Sequence, residues 1–174
     1  MSSAFDNDDY YNVIAEHALK AIAADSVLGT SGSMAFKIRE QEFRGLASFY
    51  NENELPAVAS ACDLSEQIPV TTSVDTKMFG LNLYVITGGG RLQNVLKSVK
   101  DYAARTERVI LQQDHSNKQL DNVTTDLLNA QSGSVRVSHA GSAIGGDAVG
   151  ESETYRGVAV LSFAIEIDFE IVSD

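Results

Sequence analysis

The clearest pattern in the chain is a near-strict alternation of apolar and polar positions over residues 158–172. Alternation with a period of two places successive side chains on opposite faces, so this stretch predicts one long amphipathic β-strand. At ~3.4 Å per residue the strand would extend about 50 Å, whereas a globule of this size is about 40 Å across. We therefore expect it to bend or to project. One predicted face is entirely apolar: Ala159, Leu161, Phe163, Ile165, Ile167, Phe169 and Ile171.

Two helices and a second long strand are predicted from their periodicities. Apolar residues recur every three or four positions over 10–24 and again over 91–113, which predicts a helix in each range. Residues 76–87 alternate with apolar side chains on both faces, which is typical of a strand covered on both sides. Shorter runs predict minor strands at 33–39, 57–59 and 134–138.

The order of these elements predicts the fold class. Helix, strands, helix and strands in succession favour an α+β fold, with a mixed, largely antiparallel sheet, two main helices packed against it and a long C-terminal strand. We expect 57–59 to be an edge strand because Pro56 cannot donate to a ladder. Residues 1–174 form a single predicted domain, since most domains contain about 100–200 residues.

Four segments have weaker patterns. Residues 43–55 predict a loop, and residues 63–74 predict a polar connection. Residues 114–132 are compatible with either a short helix or a loop. Residues 139–154 are rich in Gly and Ser with little to bury, and a loop of that length inside a compact domain is usually functional or disordered. We therefore predict a flexible loop at 139–154.

The chain is acidic, with 13 Lys and Arg against 24 Asp and Glu and a net charge of −11. This charge disfavours nucleic-acid binding, because Lys and Arg supply most of the affinity for phosphates. It suits a channel that DNA crosses without adhering. The solvent face of the second helix is locally basic and is a candidate inter-subunit or partner surface. Its basic residues are Arg91, Lys97, Lys100, Arg105 and Arg108.

The residue types that carry catalysis or bind metals are scattered. His17, His115 and His139 have no partner at metal-ligand spacing, so we expect structural or solvated roles for them. Residues 114–116 (Asp-His-Ser) contain triad residue types, but triads are assembled from separated elements. Cys62, the only cysteine, is expected to be a small buried apolar residue. We therefore expect no metal, no cofactor and no enzymatic activity.

Two further motifs allow more than one interpretation. Gly88–Gly90 precedes the second helix but lacks the GxGxxG spacing, so we expect a tight turn with unusual φ rather than a phosphate cradle. The polar face of the terminal strand carries a row of carboxylates, which is either a solvated face, a hard-cation site or the lining of a ring of copies. We favour the solvated face. These carboxylates are Glu166, Asp168 and Glu170.

The sequence contains no apolar run near the ~20 residues that span a bilayer. Its acidic start, Met-Ser-Ser-Ala-Phe-Asp, lacks the basic region and apolar stretch of a secretory leader. We therefore expect an intracellular protein that does not contact membranes.

Taken together, these features resemble the tail terminator, or tail completion, family of long-tailed bacteriophages. The resemblance lies in the N-terminal helix ending Ala-Ala-Asp-Ser-Val-Leu-Gly at 23–29 and in the short strand opened by Leu-Pro-Ala-Val at 55–58. It continues through a strand and a long helix ending Val-Ile-Leu at 109–111, and finishes with 155–163 leading into the terminal strand. It covers most of the chain, although the acidic first nine residues and residues 114–133 match no feature of the family.

The resemblance implies a homo-oligomeric ring, usually of six subunits, seated on the last ring of the tail tube protein. Such a ring stops tube polymerisation and joins the tail to neck or head-completion proteins, while DNA passes through its lumen without specific binding. It implies a place in the virion, reached after assembly in the host cytoplasm. The 139–154 loop then becomes an arm ordered on assembly. Its candidate residues are Gly141, Gly145, Gly146 and Gly150.

Two other functions stay open at this point. A tail tube or neck (head–tail connector) subunit would also expose strand edges and assemble through them. A small ligand-binding or enzymatic domain would use the Gly88–Gly90 segment. Finite rings favour the terminator, open tubes favour the tube subunit, and a monomer with a bound small anion favours the third.

Overall fold

The computed structural model describes residues 7–69, 74–112, 119–149 and 154–171. In chain order the elements within these ranges are α1 (Asn7–Ala24), β1 (Ile38–Glu40), the 3₁₀ turns Ala47–Phe49 and Glu52–Glu54, β2 (Ala57–Pro69), β3 (Val74–Gly90), α2 (Leu92–Gln112), α3 (Val123–Asp126), β4 (Arg136–Ala148) and β5 (Tyr155–Glu170).

The five strands form one mixed sheet in the order β1-β2-β3-β5-β4. Among them, only the short β1 pairs in parallel, with the start of β2, and the other three pairings are antiparallel. The two main helices pack on one face of this sheet. The predicted α+β fold, with a largely antiparallel sheet and a long C-terminal strand, is confirmed.

The antiparallel pair β3–β5 lies at the centre of the sheet. It stays in register from Val74 opposite Glu170 to Thr87 opposite Gly157. Because β3 accompanies β5 along this length, β5 does not project past its neighbour. The polar connection predicted at 63–74 is partly wrong, since β2 continues to Pro69 and β3 already begins at Val74.

The inner face of the sheet, covered by α1 and α2, holds the larger core. Alternate residues of β5 point into it, and Leu161, Phe163 and Ile165 are at most 1% exposed. The predicted stripe of α1 meets them, with Ile14 and Ile22 fully buried. Within the described residues, no helix is long and apolar enough to cross a membrane.

Two glycines allow α2 to lie close against the sheet. A Cβ atom at Gly157 of β5 would fall 2.7 Å from the Cβ of Val99, and one at Gly146 of β4 would fall 2.6 Å from the Cδ1 of Leu92. A side chain at Gly157 would also fall 3.0 Å from the carbonyl oxygen of Val95 and would push the helix outward, whereas one at Gly146 would displace the end of the Leu92 side chain.

The outer face of the sheet is covered at one end by residues 41–55. There the ring of Phe43 stacks on that of Tyr84 with centroids 4.4 Å apart, and Tyr50 is fully buried. Ala57 and Ile86 belong to the same second core. Residues 43–55, predicted as a loop, are therefore a packed segment with two 3₁₀ turns.

The middle of the outer face is not covered by any described residue. Its side chains are small or uncharged and only half-buried: Gly80, Asn82, Val160, Ser162 and Ala164. The Ser162 hydroxyl donates a hydrogen bond of 2.7 Å to Oδ1 of Asn82, which links β5 to β3 across this surface.

The flexible loop predicted at 139–154 is wrong over its first ten residues. Residues 139–148 belong to β4, which pairs with β5 along its length with one register shift between His139 and Gly141. Backbone pairing, rather than side-chain burial, holds this strand, so its sequence shows no apolar face. Gly150, one of the predicted assembly residues, lies outside the described residues.

Two smaller predictions are also wrong. Gly88–Gly90 is the end of β3, with a bulge after Thr87, and none of the three glycines has a positive φ. Residues 57–59 are not at the edge, because β1 pairs with them on the side away from β3. Pro56 precedes this ladder, and its carbonyl accepts a hydrogen bond of 2.8 Å from the amide of Lys37.

We predict that Ile165→Ala lowers the free energy of unfolding by about 2–5 kcal/mol, because Ile165 is fully buried and its loss leaves a cavity. Ile144→Ala makes the same chemical change at a strand position that is 41% exposed and should cost less than about 1 kcal/mol. Urea unfolding followed by circular dichroism measures both variants. Equal losses would show that the inner face is not the core.

Candidate functional site: assembly surfaces

The acidic row predicted on β5 lies on the outer face at one end of the sheet. Glu166 and Asp168 are half-buried there, and Glu170 is exposed. Arg136 of β4 lies between the first two, with Nε 3.1 Å from Glu166 and Nη2 2.9 Å from Asp168. Thr76 of β3 donates a further hydrogen bond of 2.7 Å to Asp168. The three carboxylates of the row and the guanidinium of Arg136 together carry a net charge of −2.

This ion-pair network changes the interpretation of the row. The hydrogen bonds from Arg136 and then from Thr76 lower the pKa of Asp168. Glu166 is therefore held by Arg136 of β4, and Asp168 by Arg136 and by Thr76 of β3. Among the described residues, no group of three or more His, Cys, Asp or Glu side chains is arranged to hold a metal ion.

The basic face predicted on α2 is present, but one of its members points elsewhere. Arg91, Lys97, Lys100 and Arg108 are exposed. Arg105 instead binds Asp25, in the segment after α1, through Nη2 at 2.6 Å and Nε at 3.1 Å. The pair joins α2 to the segment after α1 within the chain, and the place of Arg105 in a partner surface stays a prediction.

The carboxylate of Asp25 is the acceptor in this ion pair with Arg105. Its carboxylate also accepts hydrogen bonds from the amides of Val27 (3.0 Å) and Leu28 (2.9 Å), which shapes the turn after α1. Burial raises the pKa of Asp25, but the hydrogen bonds from Arg105 and the two amides outweigh burial and lower it. The carboxylate is thus stabilised in its charged form.

Three of the four predicted assembly glycines, Gly141, Gly145 and Gly146, lie in β4 at an open sheet edge. β4 is the last strand of the sheet, and no described strand pairs with its outer side. Between Val137 and Gly146 it contains no Asp, Glu, Lys, Arg or Pro, the residue types that usually block edge pairing. Gly141 and Gly145 have open space where a Cβ would stand. This edge is accessible to another strand.

Residues 41–55 form a braced segment that no pattern in the sequence singles out. The guanidinium of Arg44 contacts Glu40 at 3.0 Å and Glu54 at 2.8 Å, and it stacks over the ring of Tyr50 at 4.4 Å. Burial raises the pKa of Tyr50 to about 12. Because these residues lie in or beside an irregular segment, no periodicity in the sequence predicts their contacts.

A second arginine supports the same segment from the sheet. Arg156 of β5 is only 7% exposed, and its Nη1 donates to the carbonyl oxygens of Ala47 and Tyr50. Its Nε has no hydrogen-bond partner among the described residues. Nothing in the sequence distinguishes Arg156 from other strand residues, so only the structure reveals its contacts with residues 47 and 50.

Two of the three histidines lie in described parts of the chain. His17 is buried, with Nε2 2.6 Å from Oδ2 of Asp126 and Nδ1 2.9 Å from the carbonyl oxygen of Gln119. It ties α1 to α3, as a structural role requires. His139 is exposed on β4 and packs edge-on against Phe163 at 5.8 Å. His115, with the rest of 114–116, lies outside the described residues.

Cys62 lies on β2 and is 7% exposed. Burial, with a smaller contribution from Asp63, raises the pKa of its thiol to about 12. Since the thiolate is the reactive form, the thiol is unreactive at neutral pH. The prediction of a buried apolar cysteine is confirmed.

The Gly88–Gly90 segment does not have the surroundings of an anion site. The amide of Gly89 donates to Oε1 of Glu52 at 3.3 Å, so a carboxylate already stands where a phosphate would approach. A pocket of about 160 Å³ lies instead at the far end of the sheet, where Lys77 stands over the rings of Tyr10 and Phe169. It is smaller than the ~300–1,000 Å³ of ordinary ligand pockets.

Comparison of the chain with protein-family models and with curated proteins found no match.

We predict that Arg105→Met lowers the free energy of unfolding at pH 7 by about 1–3 kcal/mol, because it leaves the largely buried Asp25 without its charged partner. Lys100→Met, on the exposed side of the same helix, should change it by less than about 0.5 kcal/mol. Chemical denaturation measures both.

The same pair predicts a pH dependence. The folded pKa of Asp25 lies below its ordinary value of 3.8, so its contribution is fully present above 3.8 and is lost as the pH falls through the folded pKa. The difference between wild type and Arg105→Met should therefore shrink in acid. If the difference in free energy of unfolding between wild type and Arg105→Met stayed constant from pH 7 to pH 2, a stabilising ion pair between Arg105 and Asp25 would be contradicted.

Proposed function

We propose that this chain is a non-enzymatic structural subunit that forms a ring on the end of a bacteriophage tail tube, stops tube polymerisation and joins the tail to the neck. The observation that carries the assembly role is the open edge of β4, which contains no charged residue and no proline between Val137 and Gly146. An exposed edge presents a row of unpaired N–H and C=O groups, and natural monomers usually protect it with charges or proline. An edge without such protection is expected to be covered by another chain.

The outer face of the sheet supports the same role. On β3 and β5 its middle carries small, uncharged and half-buried residues, and the exposed Asp63 of β2 lies opposite Gly80. One end of the outer face carries Glu166, Asp168 and Glu170, and Arg136 neutralises part of their charge. A ring that turned this face inward would have a smooth, weakly acidic lumen, to which DNA phosphates would not adhere.

The tail assignment, rather than assembly in general, is supported by the resemblance in sequence to tail terminators. The segments that carry this resemblance fall on α1, the start of β2, α2 and β5. In this proposal the protein acts in the host cytoplasm during assembly and then in the virion. It has no cofactor, and its partners are copies of itself, the tube protein and a neck protein.

A tail tube or neck subunit is the second candidate, because it would use the same open edge. A ligand-binding or enzymatic domain is a weaker candidate, since the amide of Gly89 already binds a carboxylate and the pocket near Lys77 is small. The three differ in what they do to a growing tube.

The proposal is tested by adding the purified chain to tube protein during polymerisation in vitro and measuring tube lengths by electron microscopy. A terminator shortens the tubes and leaves extra density at one end. A tube subunit polymerises by itself. Tubes of unchanged length with bare ends, together with no polymer of the chain alone, would overturn the proposal.

The lumen assignment predicts a charge effect on DNA passage. Asp63→Lys and Glu170→Lys reverse exposed charges on or beside the outer face, so the chain should stay folded while DNA ejection slows at low salt and recovers at high salt. Glu16→Lys makes the same change on α1, across the sheet, and serves as the control. Ejection kinetics measured in particles that carry each variant would contradict the assignment if all three were equal.

A further inference from the structure

The braced segment 41–55 displays two large apolar side chains to solvent. Leu46 is 54% exposed and Phe49 is 57% exposed, the highest values for large hydrophobic residues in the described chain. They lie three residues apart on one 3₁₀ turn, closed by a hydrogen bond of 3.1 Å from the amide of Phe49 to the carbonyl of Leu46. Single exposed apolar residues are ordinary, but a displayed pair needs a reason.

The turn that carries this pair is held from two sides. On its outer side Arg44 binds Glu40 and Glu54 and donates to the carbonyl of Phe49 at 3.2 Å. On its inner side the buried Arg156 donates to carbonyls of the same turn. A surface fixed before binding loses little conformational entropy on association, which is the property of a docking site.

Four glutamates and Arg44 lie close in sequence to the apolar pair. Glu40 and Glu54 are paired with Arg44. Glu42 is exposed, and Glu52 is exposed and accepts a hydrogen bond from the amide of Gly89. Four carboxylates and one guanidinium give this surface a net charge of −3, so it fits a partner surface that is apolar with a basic rim.

The solvent face of α2 has that complementary character, because its exposed Lys97, Lys100 and Arg108 outweigh the charge of the exposed Asp101. Five of its exposed residues follow each other at intervals of three or four positions and so form one ridge along the helix. Lys and Arg stems add apolar surface while their charged groups stay in water. The ridge consists of Lys97, Lys100, Ala104, Arg108 and Leu111.

The two surfaces cannot meet within one chain, because the turn lies over the outer face of the sheet and α2 over the inner face. We propose that the turn carrying Leu46 and Phe49 docks on the α2 ridge of a second copy of this chain. Since the two surfaces differ, the contact is head-to-tail and continues from copy to copy until it closes. Closure into a ring rests on the proposed function, but the contact itself does not.

Cysteine cross-linking tests the contact directly, because it captures weak association at high protein concentration. Phe49→Cys chains are mixed with Ala104→Cys chains under mild oxidation, and disulfide-linked heterodimers are identified by mass spectrometry. Leu128→Cys, an exposed apolar position of 52% exposure at the other end of the sheet, replaces Phe49→Cys in the control mixture. We expect about five-fold more heterodimer from the first mixture, and equal yields would overturn the contact.

Charge reversal tests the same contact without new thiols. Lys97→Glu with Lys100→Glu should reduce the cross-linking yield, and Glu42→Lys with Glu52→Lys in the partner chain should restore it. A yield that is unaffected by the first pair, or not restored by the second, would contradict the charge complementarity.

The contact and the ring can fail separately. Rings that persist without specific cross-linking would overturn this contact and leave the ring proposal standing. Specific cross-linking that yields open chains of copies would support the contact and contradict the ring.

Discussion

The antiparallel pairing of β3 with β5 is the constraint on which the rest of the structure depends. It aligns two long strands, so that every second residue of both points into one core beneath α1 and α2. The same alternation sends the remaining residues to the outer face. With apolar burial contributing ~25 cal/mol per Å², the inner face dominates stability, and the outer face is free to carry residues chosen for other contacts.

What covers the outer face distinguishes this chain from an ordinary two-layer domain. One end is covered by its own segment 41–55, which Arg44 and Arg156 fix in place. The middle and the edge strand β4 stay open in the described chain. Two arginines hold an exposed apolar turn, and the edge strand has no charged residue between Val137 and Gly146. The proposed assembly rests on these two surfaces.

The sequence was sufficient for the elements that bury apolar side chains periodically. The alternation of β5 and the helical stripe of α1 predict strand and helix because burial enforces both periods. The start of β4 falls in the strand predicted at 134–138, but its continuation to Ala148 was missed because backbone pairing holds it and its glycines and serines show no apolar face. The ion pairs of Arg136 with Asp168 and of Arg105 with Asp25 join residues 32 and 80 positions apart, so no local pattern could reveal them. The exposure of Leu46 and Phe49 likewise follows from packing around an irregular segment.

The mass of the protein in solution, measured by light scattering with negative-stain images of the same sample, tests the central claim most directly. The account predicts closed rings of about six copies of the 18.7 kDa chain. A monomer that also fails to join purified tail tubes would contradict it.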